Sequence, residues 1–196
     1  MVIQQLSEWT YTIKAFGNMY TIEATVTKSG YVASKWIDKI LRSCSPPVVG
    51  LGIEWRPKSQ WLCSFLRGDR YRFVGVGIRE DAQMLLRWYD LDVRSCADDL
   101  RNLAAKKTGR LDMKLWGLQR LVRVFMGVHL EMPMRAHLCD WGRRVLEPEQ
   151  IEYAALDAFA SFEVGRKLVD CKALNDILQA YDGYEYKLTF YSISRL

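Results

Sequence analysis

VVGLGIEWRP, Val48 to Pro57, is the stretch on which the fold turns. Its apolar run of Val48, Val49, Leu51 and Ile53 reads as a buried strand, and side chains two apart on a strand share a face. Positions 52 and 54 therefore point the same way. Glu54 places a carboxylate there, whereas Gly52 places nothing. A second stretch, RFVGVGIREDAQMLL from Arg72 to Leu86, is a short apolar strand running directly into a helix. It sets Asp81 at the junction, where free helix amides favour negative charge. A third, PEQIEYAALDAFASFEVGRKL from Pro148 to Leu168, has a helical pattern. Pro148 suits a first helical position, Gln150 can reach back as a cap, and Ile151, Ala155, Ala158, Phe162 and Val164 supply an apolar stripe. Tyr153 and Asp157 are spaced i,i+4 and so sit one turn apart on one face.

Outward from these blocks, YTIKAFGNMYTIEATV alternates as Tyr11/Ile13/Ala15 and Tyr20/Ile22/Ala24/Val26 around Gly17-Asn18, which predicts a hairpin with a two-residue turn. A helix from Tyr31 to Arg42 follows, with Val32, Trp36, Ile37, Ile40 and Leu41 on one face. Past the third block, Tyr184/Tyr186/Leu188/Phe190 alternate with Glu185/Lys187/Thr189 after an Asp-Gly turn, which predicts a further strand.

A strand Glu, a strand-end Asp and a helical Tyr-x-x-x-Asp together resemble the DEDDy branch of the DnaQ-like, RNase H-like 3'-5' exonucleases. Within that branch the likeness is to the Werner-syndrome-type exonuclease domain in its plant form. VGLGIEWRP matches that family's VGLDxEWRP at every quoted position except the aspartate, which falls on Gly52. FVGVGIREDAQML matches its second motif and LEPEQIEYAALDAFASFEVG its third. Weaker likeness joins them through ADDLRNLAAKKTGR, GLQRLVRVFMGVHLEMP and DWGRRVLEPEQ, so the resemblance covers roughly residues 45 to 170. It implies an α/β fold of the RNase H-like exonuclease kind, a mixed sheet flanked by helices. The N-terminal hairpin and helix, residues 1–44, belong to the same domain, the exonuclease-like part spans 45–170, and 171–196 adds a helix end and the extra strand.

The resemblance also implies the chemistry. Hydrolysis of a phosphodiester by two divalent ions uses carboxylates that hold the ions about 4 Å apart, one activating water and the other steadying the leaving oxygen. Hard oxygen ligands suit Mg²⁺ or Mn²⁺. Glu54, Asp81 and Asp157 fall on metal-ligand positions, and Tyr153 falls on the tyrosine that orients the attacking water. The first ligand position is Gly52. A loss of about 3 to 5 kcal/mol of transition-state stabilisation there would slow the reaction by roughly 10² to 10⁴. A second departure lies between Arg56 and Arg72, where RPKSQWLCSFLRGDRYR is too short for the two strands and helix that normally follow the first motif. It holds one short helix, Ser59 to Leu66, and the family's second and third core strands are expected to be missing. The first strand is then left with an open edge, which the N-terminal hairpin is one candidate to cover.

At 196 residues and 49% hydrophobic, the chain can bury a substantial core but not a helicase as well, so a free-standing exonuclease-type domain is expected. No apolar run is long enough to cross a membrane and MVIQQLSEWT lacks the regions of a secretory signal, which places the expectation in the nucleus or cytoplasm. Five cysteines without CxxC spacing and two histidines support neither a disulfide framework nor a zinc site. The net charge of +5 leans mildly toward a polyanion. Basic clusters gather at Lys106, Lys107, Arg110 and Lys114, at Arg120 and Arg123, and at Arg143 and Arg144. The last pair, near Tyr153 in sequence, is the best candidate to hold the phosphates of a DNA or RNA 3' end. Two function classes stay open: a 3'-5' exonuclease with impaired hydrolysis, and a catalytically silent relative that binds nucleic acid or protein.

Overall fold

The computed structural model describes residues 2–7, 10–27, 29–43, 48–52, 65–67, 71–93, 97–133, 139–143 and 145–170. Glu54, Arg144, the crossover after the first motif and the predicted C-terminal strand lie outside them, as does all but the end of the predicted Ser59 to Leu66 helix.

Three antiparallel strands open the chain: β1 (Val2–Gln5), β2 (Thr10–Ala15) and β3 (Tyr20–Thr25), in spatial order β1-β2-β3. Ile13 pairs with Ile22 across β2 and β3, so the predicted hairpin is present. Its connection is longer than the two residues expected. Phe16 to Met19 form the turn, with Phe16, Gly17 and Asn18 all at positive φ and the Met19 amide donating to the Phe16 carbonyl at 3.3 Å. Phe16 tolerates that backbone because its ring is packed edge-on to Tyr20, at 5.7 Å between centroids, and tilted toward Phe159, at 6.3 Å. Helix α1 (Gly30–Ser43) follows, one residue longer at each end than its apolar pattern predicts.

The second sheet is parallel, in the order β4 (Val48–Gly50), β5 (Arg72–Gly75), β6 (Ala97–Asp99). Val49 stands opposite Phe73 and Phe73 opposite Ala97, and the Leu51 amide continues the ladder to the Val74 carbonyl at 2.9 Å. Parallel neighbours need crossovers, and β5 leads into helix α2 (Ile78–Tyr89) as the strand-into-helix pattern predicts. Helix α3 (Leu100–Thr108) leaves β6 directly. A 3₁₀ turn at Leu111–Leu115, helix α4 (Leu118–Met126) and the 22-residue helix α5 (Pro148–Val169) complete the described chain. The expected α/β class is observed. Within the described residues its strands fall into two small sheets rather than one mixed sheet, and the hairpin does not pair with β4.

Strand periodicity distributes the core. Phe73 and Val74 are adjacent, both buried, and point to opposite faces of the parallel sheet. Phe73 packs with Ile78, Ala82, Leu85, Leu91 and Val93 beneath α2. Val74 joins Leu156, Ala160, Val164 and Leu168 of α5, with Leu121 and Phe125 of α4 behind them. The predicted cap of α5 is in place: the Glu147 amide donates to Gln150 Oε1 at 3.0 Å, and Pro148 occupies the first turn.

One contact sets how closely α5 approaches β4. A Cβ on Gly50 would meet the backbone of Ala158 and Phe162, including the Ala158 carbonyl oxygen, at separations no real side chain adopts. Backbone cannot yield as a side-chain tip can, so only glycine fits. Gly50→Ala is expected to destabilise the fold by about 2 to 3 kcal/mol, read as a lower urea midpoint at unchanged slope. A midpoint equal to the parent's would show that the helix and strand part without cost.

Candidate active site

The register of the parallel sheet gathers its carboxyl ends. Gly50 is level with Val74 and Val74 with Asp98, so Gly52, the Val76-Gly77 turn and the start of α3 all emerge at one edge. In open α/β sheets this edge is where ligands bind.

Asp99 locks that edge together. Its buried side chain caps α3 by accepting from the Arg101 amide at 2.9 Å, and it also accepts from the Gly77 amide at 3.0 Å and from the Arg101 guanidinium at 2.9 and 2.6 Å. Burial pushes the Asp99 carboxyl up, but the bonds and charge of Arg101 and the Gly77 amide outweigh it, and the group stays below the ordinary carboxylate range. Arg101 also reaches Glu80 at 3.8 Å. The turn that begins α2 is thereby held to the start of α3. Gly77 takes φ +80°, a conformation suited to glycine, and its carbonyl receives the amides of Glu80 and Asp81 at 3.0 and 3.3 Å. Asp81 thus stands in the first turn of α2, beside the sheet edge.

Asp157 arrives from α5. Its Oδ2 lies in the space that a Cβ on Gly52 would occupy, so the carboxylate fills the place vacated by the missing side chain. Asp81 and Asp157 interact electrostatically. Burial drives the Asp157 carboxyl up to about 6. Asp81 also rises to about 6, through burial first and then the negative charges of Asp157 and Glu80. Among the described residues neither acid forms an ion pair, in contrast to Asp99 with Arg101.

Tyr153 lies one turn before Asp157 on the same helix, half-buried, with its ring 6.0 Å from that of Trp141. Arg143 is bonded to Glu147 at 2.7 Å at the start of α5, so its charge is engaged within the protein. The structure therefore brings together Gly52, Asp81 and Asp157, with Tyr153 on the adjoining turn, while Glu54 and Arg144 lie outside the described residues. Among the described residues no group of three or more acids, histidines or cysteines is close enough to hold a metal. Two neighbouring carboxylates suit a hard divalent cation in donor type, and their raised protonation points are what a cation placed against them would reverse. Sequence reading missed Asp99 and Arg101. The Asp99-Leu100 step at a strand end, with helix-forming residues after it, is the N-cap signal that could have found them.

A family model described as 3'-5' exonuclease matches residues 53–171. The chain belongs to the 3'-5' exonuclease family. A 3'-5' exonuclease of Arabidopsis thaliana is 35% identical over 97 residues, covering 50% of this chain and 33% of that protein. Human exonuclease 3'-5' domain-containing protein 2 is 36% identical over 85 residues, covering 43% of this chain and 14% of that protein. The mouse bifunctional 3'-5' exonuclease/ATP-dependent helicase WRN is 30% identical over 109 residues, 56% of this chain and 8% of that protein. A solved exonuclease domain of EXD2 covers 78% of this chain and 93% of its own length at 24% identity, with a TM-score of 0.35. The aligned parts amount to a third or less of these curated relatives' lengths. The expected resemblance to a Werner-type exonuclease domain stands. Among the described residues no helix of this family member is long and apolar enough to cross a membrane.

The raised carboxyls make stability depend on pH. Because Asp157 protonates near 6 in the folded chain, the folded state holds more protons than the unfolded state between about pH 4 and 6, and stability falls as pH rises through that window. Asp157→Asn should flatten urea stability against pH between 4 and 6 and raise it at pH 7 by about 2 kcal/mol. A variant as pH-dependent as the parent in that window would overturn the assignment.

Proposed function

We propose that this family member engages the 3' end of a nucleic acid at the carboxyl edge of its parallel sheet, with hydrolysis weakened by the absent carboxylate at position 52. The observation that carries this reading is the contact at Gly52, where the carboxylate of Asp157 takes the space of the missing side chain beside Asp81.

In the family's DEDDy pattern, Asp81, Asp157 and Glu54 are the groups that would hold Mg²⁺ or Mn²⁺, and Tyr153 the group that would orient the water. A divalent ion, when bound, neutralises phosphate charge and makes a bound water more acidic. The chain's own residues supply the rest. At neutral pH Asp81 and Asp157 are largely ionised but poorly solvated, so they favour a cationic ligand and repel phosphate until their charge is met. The Tyr153 hydroxyl donates or accepts one hydrogen bond and, one turn from Asp157, can fix a water at the edge of the pair. Asp99 and Arg101 keep the α2 turn in place, so Asp81 does not need to be ordered at the moment of binding.

The second reading is a silent relative that keeps nucleic-acid or protein binding without hydrolysis. It is favoured by the same Gly52 contact, since with glycine at the first ligand position only Glu54, Asp81 and Asp157 remain of the four-carboxylate pattern of the resemblance.

An end-labelled oligonucleotide incubated with the full chain and Mn²⁺ separates the two. Under the first reading it is slowly shortened from its 3' end, Asp157→Ala abolishes shortening, and Gly52→Asp accelerates it by roughly 10² to 10⁴ as Asp157 turns away to admit the new side chain. Retention of the oligonucleotide with no shortening by either the parent or Gly52→Asp would establish the silent reading. Failure to retain it at all would remove nucleic acid from the proposal.

A further inference from the structure

Eighteen residues, Lys106 to Arg123, hold six basic side chains and one acid, a net charge of +5. That equals the charge of the whole chain, so everywhere else basic and acidic residues balance. Charge kept only for solubility would be spread over the surface, whereas charge gathered in one segment builds a local field. The stretch runs from the last turn of α3 through the 3₁₀ turn into α4. Lys106, Lys107 and Lys114 are exposed, and among the described residues they form no ion pair. Asp112, the one acid, is taken by Arg110, whose guanidinium donates to it at 3.0 and 3.3 Å.

Part of this surface is already ordered. Trp116 is buried, and two arginines lie over its ring, Arg120 with its guanidinium carbon 4.0 Å from the centroid and Arg110 at 5.5 Å. The two guanidinium groups are therefore within about 10 Å of one another. A side chain held by a ring loses less freedom when it bonds a ligand than one that swings in solvent. On the 3₁₀ turn, Leu111 and Leu115 are 72% and 90% exposed, apolar side chains that the core does not use.

We propose that this surface binds the phosphate backbone of a single nucleic-acid strand, on the 5' side of the end engaged at the sheet edge; the role rests on the function proposed above. Asp99 fixes the start of α3 at that edge. Lys106 and Lys107 then stand about 10 to 12 Å from it along the helix, a distance that about three phosphates of one strand span. Lysine ammoniums meet phosphates as point charges and arginine forks can bond two oxygens at once, neither reading sequence. The exposed leucines suit unstacked bases, whose flat faces a single strand offers and a run of acidic side chains lacks. Arg143, favoured by its place in the sequence, is bonded to Glu147, so backbone binding passes from that pair to this surface.

Binding of the full chain to a fluorescent ten-nucleotide single strand, followed by anisotropy in chelator so that nothing is cleaved, tests it. The triple variant Lys106→Gln, Lys107→Gln, Lys114→Gln should weaken binding roughly 10-fold to 100-fold at low salt, and the slope of log affinity against log salt should become shallower by about 2. A second triple, Lys14→Gln, Lys35→Gln, Lys39→Gln, removes the same charge from exposed positions on β2 and α1. It should leave affinity within about twofold of the parent's, since charges far from the strand are screened. Equal losses in the two triples overturn the surface by reducing it to net charge. Unchanged binding by the first triple overturns it while leaving the proposed function intact, whereas a parent that binds no strand removes that function as well. Poly-glutamate held by the parent as tightly as the strand, and lost by the first triple, also overturns it, by assigning the surface to an acidic protein.

Discussion

The backbone of β4 touches the backbone of α5 at Gly50, and the rest of the molecule is arranged around that contact. With the Ala158 carbonyl against the strand, the helix lies as low on the sheet as a polypeptide can. Its buried face then meets Val74 on one flank and the α4 core on the other, while Phe159 reaches out to Tyr20, at 5.1 Å between ring centroids, and fastens the N-terminal sheet. The same low seat carries Asp157 into the space beside Gly52. A helix held farther out by even one methyl group would loosen the packing and withdraw the carboxylate together, so core and site share one determinant.

Two aspartates, one buried and one partly buried, show how differently the fold treats charge. Asp99 accepts from two backbone amides and a guanidinium, and its lowered protonation point means that its charge stabilises the native state above acid pH. Asp157, raised to about 6 by burial, costs stability at neutral pH. One is a fastening and the other a strained group. Strain of this sort persists where the surroundings impose it, and here the glycine contacts of α5 do so.

Much of this was legible in sequence because the signals were local. The strand-into-helix junction at Val76-Gly77, the Pro148/Gln150 cap and the alternation around Ile13 and Ile22 each follow from a few neighbouring residues, and each appears in the structure. The pairing of Tyr153 and Asp157 on one helix face is equally local. What escaped the sequence depends on distant partners. β1 is a four-residue strand with two glutamines, and only its register against Thr12 and Tyr11 makes it a strand. The positive φ of Phe16 is set by rings on α5 and β3, not by turn propensity. The need for glycine at position 50 is set by Ala158 and Phe162 of α5, and the role of Asp99 by Gly77 together with Arg101.

Position 52 changes meaning for the same reason. In sequence, Gly52 is a missing ligand, an absence with a catalytic cost. In the folded chain the vacancy is taken by the Asp157 carboxylate, so a glycine there also relieves the molecule of a further negative charge beside two acids that already protonate well above their usual range. Three like charges in one poorly solvated corner are sustained by a bound cation or by stability drawn from elsewhere in the fold. Stability and charge therefore oppose one another at position 52: a glycine there spares the fold a third like charge, whereas an aspartate would need a bound cation to be sustained.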